Sequence, residues 1–247
     1  MIKLFLEQLG QYVQMLVMTL HKPENRRMYW KAFIQQCVEV GADMVWIVVV
    51  ISVFLGMVIT LQMVYMMPAL AVPRALIATV SRDFIVLELA PTGISVVLAA
   101  VVGYRMASEL GYMRLTEQID AMEMMGVNSH AYLIMPKILA CLCMVPCLIV
   151  VSIAASLAAG CWIGGFTGSV PRQDYLRGLT ADFRAYNFTV ALVKSLVFAF
   201  FIASLSSFFG YYVKGSTLAA GRAATRAVTF NCILILAADY TITSLML

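Results

Sequence analysis

The run MVWIVVVISVFLGMVITLQMVYMM occupies Met44 to Met67 and decides the fold class. Its 24 residues carry no charge. At about 1.5 Å of rise per residue they reach about 36 Å, enough to cross a hydrocarbon core of about 30 Å. The rest of the chain agrees. Of 247 residues, 62% are hydrophobic and 12% charged, against about 45–50% and about 25% in a soluble domain, and the mean hydropathy is +0.90. This composition excludes a soluble domain and the disordered, collagenous and disulfide-rich secreted classes. Seventeen Lys+Arg against thirteen Asp+Glu give a formal charge of +4. Over half the basic residues fall in a few short stretches between apolar runs, which is a topology signal rather than a nucleic-acid footprint.

Outward from the first span, Pro68, Pro73, Arg74, Arg82 and Asp83 mark a loop. A second span is expected over Phe84–Met106, with Glu88 near its start and Pro91 as a kink. A third runs from Tyr132 to Phe166, punctuated by Pro136, Lys137 and Pro146; a fourth covers Asn187–Val213 and a fifth Val228–Leu247. Thr167 to Tyr186 is polar, with a weak helical period at Asp174, Tyr175, Leu176 and Leu179. Upstream, residues 1–20 do not read as a cleaved signal peptide. Ile2, Phe5, Leu6, Leu9, Tyr12, Val13, Leu16 and Leu20 recur at helical steps among Lys3, Glu7, Gln8, Gln11 and Gln14. That pattern predicts an amphipathic helix lying in the membrane interface. The polar run His21 to Arg27 interrupts it, and a mixed stretch from Tyr29 to Asp43 follows, with Trp30 as an interfacial anchor. The expected fold is an all-α membrane protein with five transmembrane helices. Residues 1–43 form its amphipathic N-terminal segment and 44–247 its membrane domain.

Five spans put the termini on opposite sides, and loop charge decides which. With the N-terminus inside, the cytoplasmic segments carry Lys3, Lys22, Arg26, Arg27, Lys31, Arg105, Arg114, Lys137, Lys214, Arg222 and Arg226. The external segments carry only Arg74, Arg82, Arg172, Arg177 and Arg184. Eleven against five predicts a cytoplasmic N-terminus and an external C-terminus.

Between spans two and three, residues 109–129 read ELGYMRLTEQIDAMEMMGVNS. Glu109, Arg114, Glu117, Gln118, Asp120 and Glu123 alternate with apolar residues, of which Leu115, Ile119 and Met122 recur at helical steps. Gly126 then provides a C-terminal stop. The spacing predicts one amphipathic helix over about 109–126, presented to the cytoplasm. It is either a solvated connector or a docking helix for a soluble partner. The Met122-Glu123-Met124-Met125 cluster, an adaptable apolar surface, favours docking.

The same residues carry a resemblance. The run Glu109 to Gly126 resembles the signature of the MlaE/YrbE-type permeases, the membrane subunits of ABC systems that move phospholipids or other lipids between the two membranes of diderm bacteria. Gly56 to Gln62 resembles the family's first span and Glu88-Leu89-Ala90-Pro91 its entry into the second. Lys194 to Phe198 and Ala224-Thr225-Arg226 resemble its fourth span and last cytoplasmic loop, so the similarity covers roughly residues 44–247. The resemblance implies a homodimer in the bacterial inner membrane. Its cytoplasmic helix (Glu109, Arg114, Glu117, Gln118, Asp120, Met122) would couple to a separate MlaF-like ATPase that binds ATP and Mg. It further implies an MlaB-like regulator of STAS type and an external MlaD-like MCE-domain partner. No cofactor is expected in this chain, which has no GxxxxGK[ST] phosphate loop. One departure stands out. Where many relatives carry a basic residue eight positions before the signature glutamate, this chain has Val101 preceded by Ala100, and the nearest basic residue is Arg105.

Ionisable residues inside spans are costly and mark function by default. Lys194 lies seven residues from Asn187 and Asp239 eight from Leu247, both about 10–12 Å from the outer ends of their spans. Equal depth on adjacent antiparallel helices predicts an ion pair; a snorkelling lysine is the alternative. Met57, Leu61, Gln62 and Tyr65 follow the family's lipid-lining stretch, and the first, second and last share a face, as ordinary helix packing would also require. Of six cysteines, Cys141, Cys143, Cys147, Cys161 and Cys232 lie in apolar runs and Cys37 in an amphipathic one. They read as buried packing thiols, and no metal site is expected. Two other classes compete with a permease. An intramembrane enzyme would need a nucleophile and base; Gly165-Phe166-Thr167-Gly168-Ser169 only loosely suggests one, and His130 reads as a loop residue. An ion-coupled transporter would use Glu88, Lys194 and Asp239, but no inverted repeat is apparent.

Overall fold

A computed structural model describes residues 2–19, 26–66, 74–168, 170–215 and 217–246, all in helices or short connections, with no strand among them. Among the described residues, five helical stretches are long and apolar enough to cross a membrane: Arg27–Met66, Ala75–Leu115, Ser129–Phe166, Ala185–Tyr211 and Leu218–Met246. In chain order the α-helices are α1 (Ile2–Thr19), α2 (Arg26–Cys37), α3 (Asp43–Met66), α4 (Arg74–Phe84), α5 (Ile94–Leu98) and α6 (Tyr104–Leu115). They continue as α7 (Gln118–Met124), α8 (Ser129–Phe166), α9 (Arg172–Thr180), α10 (Ala185–Tyr211) and α11 (Thr217–Met246). Wider π-type turns join α2 to α3 (Val38–Ala42), α4 to α5 (Ile85–Gly93) and α5 to α6 (Ala99–Gly103), so each of these series is one continuous helix.

Three boundaries differ from those the sequence predicts. The stretch before Met44 is not set off from the first span by a break, because α2 runs through the wide turn into α3. The expected loop at Arg74, Arg82 and Asp83 is a helix, α4, and its charges do not end it because Arg82 is buried with partners of its own. The fifth span begins eleven residues before Val228, at Thr217. Pro136 and Pro146 lie within an unbroken α8. Pro68, Pro73, the run Leu20–Asn25, Ser169 and Leu247 lie outside the described residues.

The chain divides into two compact units. One comprises Gly41–Ser95, Val145–Leu196 and Asp239–Leu247. In it, α3 meets α8 through small and hydroxyl residues. Ser52 Oγ donates to Val48 O (2.6 Å) and lies 2.7 Å from Ser152 Oγ, and Ser156 Oγ donates to Ser52 O at 2.9 Å. A Cβ at Gly56 would overlap the Ser156 carbonyl oxygen, so glycine is what permits this approach. Alongside, α4 and α9 pack around Ile77, Ala78, Val170 and Tyr175. Arg82 caps the end of α9, donating from Nη1 to Leu179 O and Ala181 O, both at 2.8 Å, which places a cation where helical carbonyls lack partners.

The other unit comprises Met1–Val40, Val96–Met144 and Val197–Ala238. In it α1 docks on α10: Tyr12 OH donates to Ser204 Oγ at 2.8 Å, and its ring meets Phe208 edge-on with centroids 5.6 Å apart. Leu6, Leu9, Val13 and Val17 remain exposed on the same helix, an apolar face that suits hydrocarbon rather than water. Lys137 is buried and donates to Glu109 Oε2 at 2.7 Å and Gln36 Oε1 at 3.2 Å, holding α2, α6 and α8 together. Asn231 Nδ2 donates to Ser206 Oγ at 2.9 Å where Gly103 brings the second span close.

Two glycine substitutions test the α3 contact. Gly56→Ala is expected to destabilise the protein by about 1–3 kcal/mol, read as a lowered unfolding midpoint in detergent. Gly93→Ala, whose Cβ meets nothing within 4 Å, should leave the midpoint unchanged or raise it.

Candidate functional site

Residues 104–128 form an elbow rather than the single helix predicted over about 109–126. The second span continues as α6 to Leu115 and stops because Thr116 and Glu117 turn the backbone. Thr116 Oγ1 donates back to Tyr112 O at 2.9 Å, and Glu117 adopts φ 59°, a left-handed conformation uncommon outside glycine. Ala121 N donates to Glu117 O, and α7 begins. Arg114 Nη1 reaches across the corner to Asp120 Oδ1 at 2.6 Å. A hydrophobic period spanning both arms conceals this break, since Leu115 and Ile119 are four apart whether or not the helix is continuous.

The far end of α7 is closed as the sequence predicts. Gly126 takes φ 83°, Gly126 N donates to Glu123 O (3.0 Å) and Val127 N to Met122 O (3.1 Å), a Schellman arrangement. Asn128 Oδ1 then accepts from Ala131 N at 3.3 Å and caps α8. Glu123 fastens the elbow to the spans: Oε1 accepts from Tyr211 OH at 2.7 Å and Ser129 Oγ at 2.8 Å. The Tyr211 hydroxyl above all, with Ser129, Arg114 and His130 adding to it against some desolvation, holds the Glu123 carboxyl below its ordinary range. His130 is not a loop residue but lies in the first turn of α8, its ring 4.3 Å from that of Tyr211.

The predicted coupling residues therefore divide. Glu109 belongs to α6 and is occupied by Lys137; Arg114 and Asp120 bridge the corner; Met122 is half-buried. Ile119 is fully buried and seats α7. The outward surface is Glu117, Gln118 and Ala121 with Met124 (86% exposed) and Met125 (71%) at the tip. Met124 and Met125 were visible in the sequence as part of a methionine cluster; Tyr211, eighty-eight residues from Glu123 in the chain, gave no signal.

The structure brings Lys194 and Asp239 together and adds Glu88. Lys194 Nζ, with a side chain that is 0% exposed, lies 2.7 Å from Asp239 Oδ1 and 3.0 Å from Glu88 Oε1. It also donates to Leu87 O at 3.0 Å, in the wide turn that contains Pro91. Thr92 Oγ1 donates to Asp239 Oδ1 at 2.9 Å. One ammonium thus serves two carboxylates, and the cluster is one negative charge in excess when both are ionised.

On α3, Met57 is half-buried while Leu61, Gln62 and Tyr65 are exposed, on the side away from the Ser52, Gly56 and Thr60 contact. Arg105 Nη2 lies 3.7 Å from Glu39 Oε2, within reach of the end of α2. The cysteines do not all pack between helices: Cys141 is buried, but Cys143 and Cys147 are exposed on α8, and Cys37, Cys161 and Cys232 are half-buried. No group of three His, Cys, Asp or Glu suited to a metal ion occurs among the described residues.

The sequence is similar to known proteins along nearly its whole length. The model of one family, described as Permease MlaE, matches residues 33–245. A probable ABC transporter permease protein of Rickettsia bellii is 31% identical over 218 residues, covering 88% of this chain and 84% of that one. One from Synechocystis is 29% identical, covering 86% and 81%. A third, from Pyropia yezoensis, is 26% identical with the same coverage.

Two predictions follow from the charges. Lys194→Met leaves two carboxylates without their cation and is expected to cost about 3–5 kcal/mol. Lys194→Met with Asp239→Asn should be milder, as read by folded yield and unfolding midpoint; strict additivity of the single effects would exclude coupling between the two residues. For Glu123, a depressed carboxyl stabilises the folded state above its unfolded pKa, and that contribution is lost as pH falls through the folded value. The stability difference between wild type and Tyr211→Phe should therefore be largest near neutrality and shrink on acidification below the ordinary Glu value of 4.5, followed by thermal unfolding across pH.

Proposed function

The chain belongs to the MlaE permease family, as a membrane-embedded ABC permease subunit, and from that premise we propose that it moves phospholipid between the inner and outer membranes of a diderm bacterium. The observation that carries this reading is the family match over residues 33–245 together with an elbow between spans two and three whose tip is exposed methionine. The chain lacks a phosphate loop, so a separate ATPase binds ATP and Mg and supplies the energy, and this subunit has no catalytic residues of its own. Glu117, Gln118, Met124 and Met125 form the surface that enters the ATPase. Arg114 and Asp120 keep the corner rigid, and Glu109 anchors α6 through Lys137, so that a push on α7 reaches the second span.

In this reading two copies assemble as a homodimer, with an MCE-domain protein on the external side and a STAS-type regulator beside the ATPase. The N-terminus is cytoplasmic and the C-terminus periplasmic, in keeping with the excess of basic residues in the segments assigned inside. The exposed Leu61, Gln62 and Tyr65, with Met57, line the lipid path. Acyl chains need no directional chemistry, and a flexible apolar wall suits them. The Glu88, Lys194 and Asp239 cluster holds the second, fourth and fifth spans in a fixed relation beside that path.

Affinity purification of the tagged chain, co-expressed with its genomic neighbours, tests the proposal. An ATPase and extractable phospholipid should co-purify. Glu117→Lys with Met124→Glu and Met125→Glu, which leaves the Arg114 to Asp120 bridge intact, should lose the ATPase by tenfold or more and keep the lipid. A chain that never retains an ATPase, or that retains it in the triple variant, overturns the coupling assignment; absence of bound phospholipid overturns the cargo.

A further inference from the structure

Where α10 ends and α11 begins, a cavity of about 450 Å³ opens that none of the predicted site residues touches. Three cationic side chains line it: Lys214 in the connection, and Arg222 and Arg226 on α11. None of the three forms an ion pair with a described residue, unlike Arg82, Arg114, Lys137 and Lys194 elsewhere in the chain. Among the described residues that line the cavity, none is acidic.

Its shape follows from local sequence. Arg222 and Arg226 are four apart and share a helix face with Ala219 and Ala223, whose small side chains leave the space between the guanidinium groups open. Gly215, at φ 116°, permits the tight turn that brings Lys214 to the rim. Phe208, Phe209 and Tyr212 give it an aromatic wall, and Gln8 and Gln11 of α1 form its roof. That roof is fixed, because Tyr12, one turn further along α1, is bonded to Ser204 and packed on Phe208. The site thus sits at the water-facing ends of two spans, under a helix whose other side is apolar and exposed.

Unpaired cations are retained here at an interface where anions are abundant. Arginine forks match phosphate oxygens, and an aromatic wall at the same depth accepts the glycerol backbone and the first methylenes of an acyl chain. We propose that this cavity binds the phosphate headgroup of an anionic phospholipid of the surrounding leaflet. This site is distinct in residues from the α3 lining assigned above to the cargo, and it stands whether or not that cargo is phospholipid.

The test uses the full chain with its co-purifying partners, in nanodiscs of phosphatidylethanolamine containing a trace of photoactivatable phosphatidylglycerol, with adducts mapped by peptide mass spectrometry. Adducts are expected on residues 208–226. Arg222→Gln with Arg226→Gln should reduce them about tenfold or more. Ala223→Phe keeps every charge but fills the cavity, and should reduce them comparably; Arg172→Gln with Arg177→Gln, a cation pair on α9, should not. Unfolding midpoints of each variant show whether it is folded, and Ala223→Phe carries the test if the double arginine variant is not. Undiminished labelling in Ala223→Phe would mean diffuse electrostatic attraction and would overturn the site. Displacement of the probe by an equal concentration of glycerol phosphate would overturn the lipid as occupant in favour of a soluble phosphate.

Discussion

A backbone carbonyl or an ammonium group inside hydrocarbon has no water to turn to, and each must find its partner within the protein. Much of this chain's architecture follows from that requirement. The helices satisfy their own backbones. In the wide turn that contains Pro91 a side chain joins the backbone, and Lys194 donates to the Leu87 carbonyl. Hydroxyls on α3 and α8 bond back to their own helix or across to the neighbour. Glycine and serine occupy the places where helices meet, because contact between helices in lipid is gained through close approach rather than through expulsion of water.

The buried cations follow the same rule with different partners. Arg82 takes the last carbonyls of α9, Lys137 takes a carboxylate and an amide, and Lys194 takes two carboxylates and a carbonyl. Each binds two or three segments distant in sequence. A charge in this setting is therefore a joint, and its partner determines which helices it joins. Lys214, Arg222 and Arg226 are the contrast: exposed at span ends and without carboxylate partners among the described residues, they are positioned to meet something outside the chain.

The spans were legible in the sequence because length and apolarity are local properties; Met44 to Met67 can be read without knowing anything else. The amphipathic first helix and the glycine stop at Gly126 were legible for the same reason. Helix α4 was not, since Arg82 and Asp83 look like loop residues until Leu179 and Ala181 are seen to receive the guanidinium. The corner at Thr116 and Glu117 was hidden because neither residue is a recognised helix breaker and the left-handed backbone of Glu117 is held by its surroundings. For the charged sites, the pairing of Lys194 with Asp239 could be inferred from matched depth. Glu88 could not, because its approach depends on the wide turn around Pro91, which shifts the faces of the helix. The outward surface of α7 needed the buried position of Ile119 to show which methionines remain free.

The wide turn at Ala99–Gly103 has a further meaning in terms of insertion and deletion. A π-type turn holds one residue more than an α turn, so it has the form of a single inserted residue absorbed without loss of the helix. Everything after it is rotated by about 100° relative to an uninterrupted α-helix. Removing one residue there would restore ideal hydrogen bonding and leave Arg105 and Glu109 facing Glu39 and Lys137, whereas straightening the turn with every residue kept would carry both about 100° around the axis. The imperfect turn is what keeps the reading frame of the helix in phase with its neighbours.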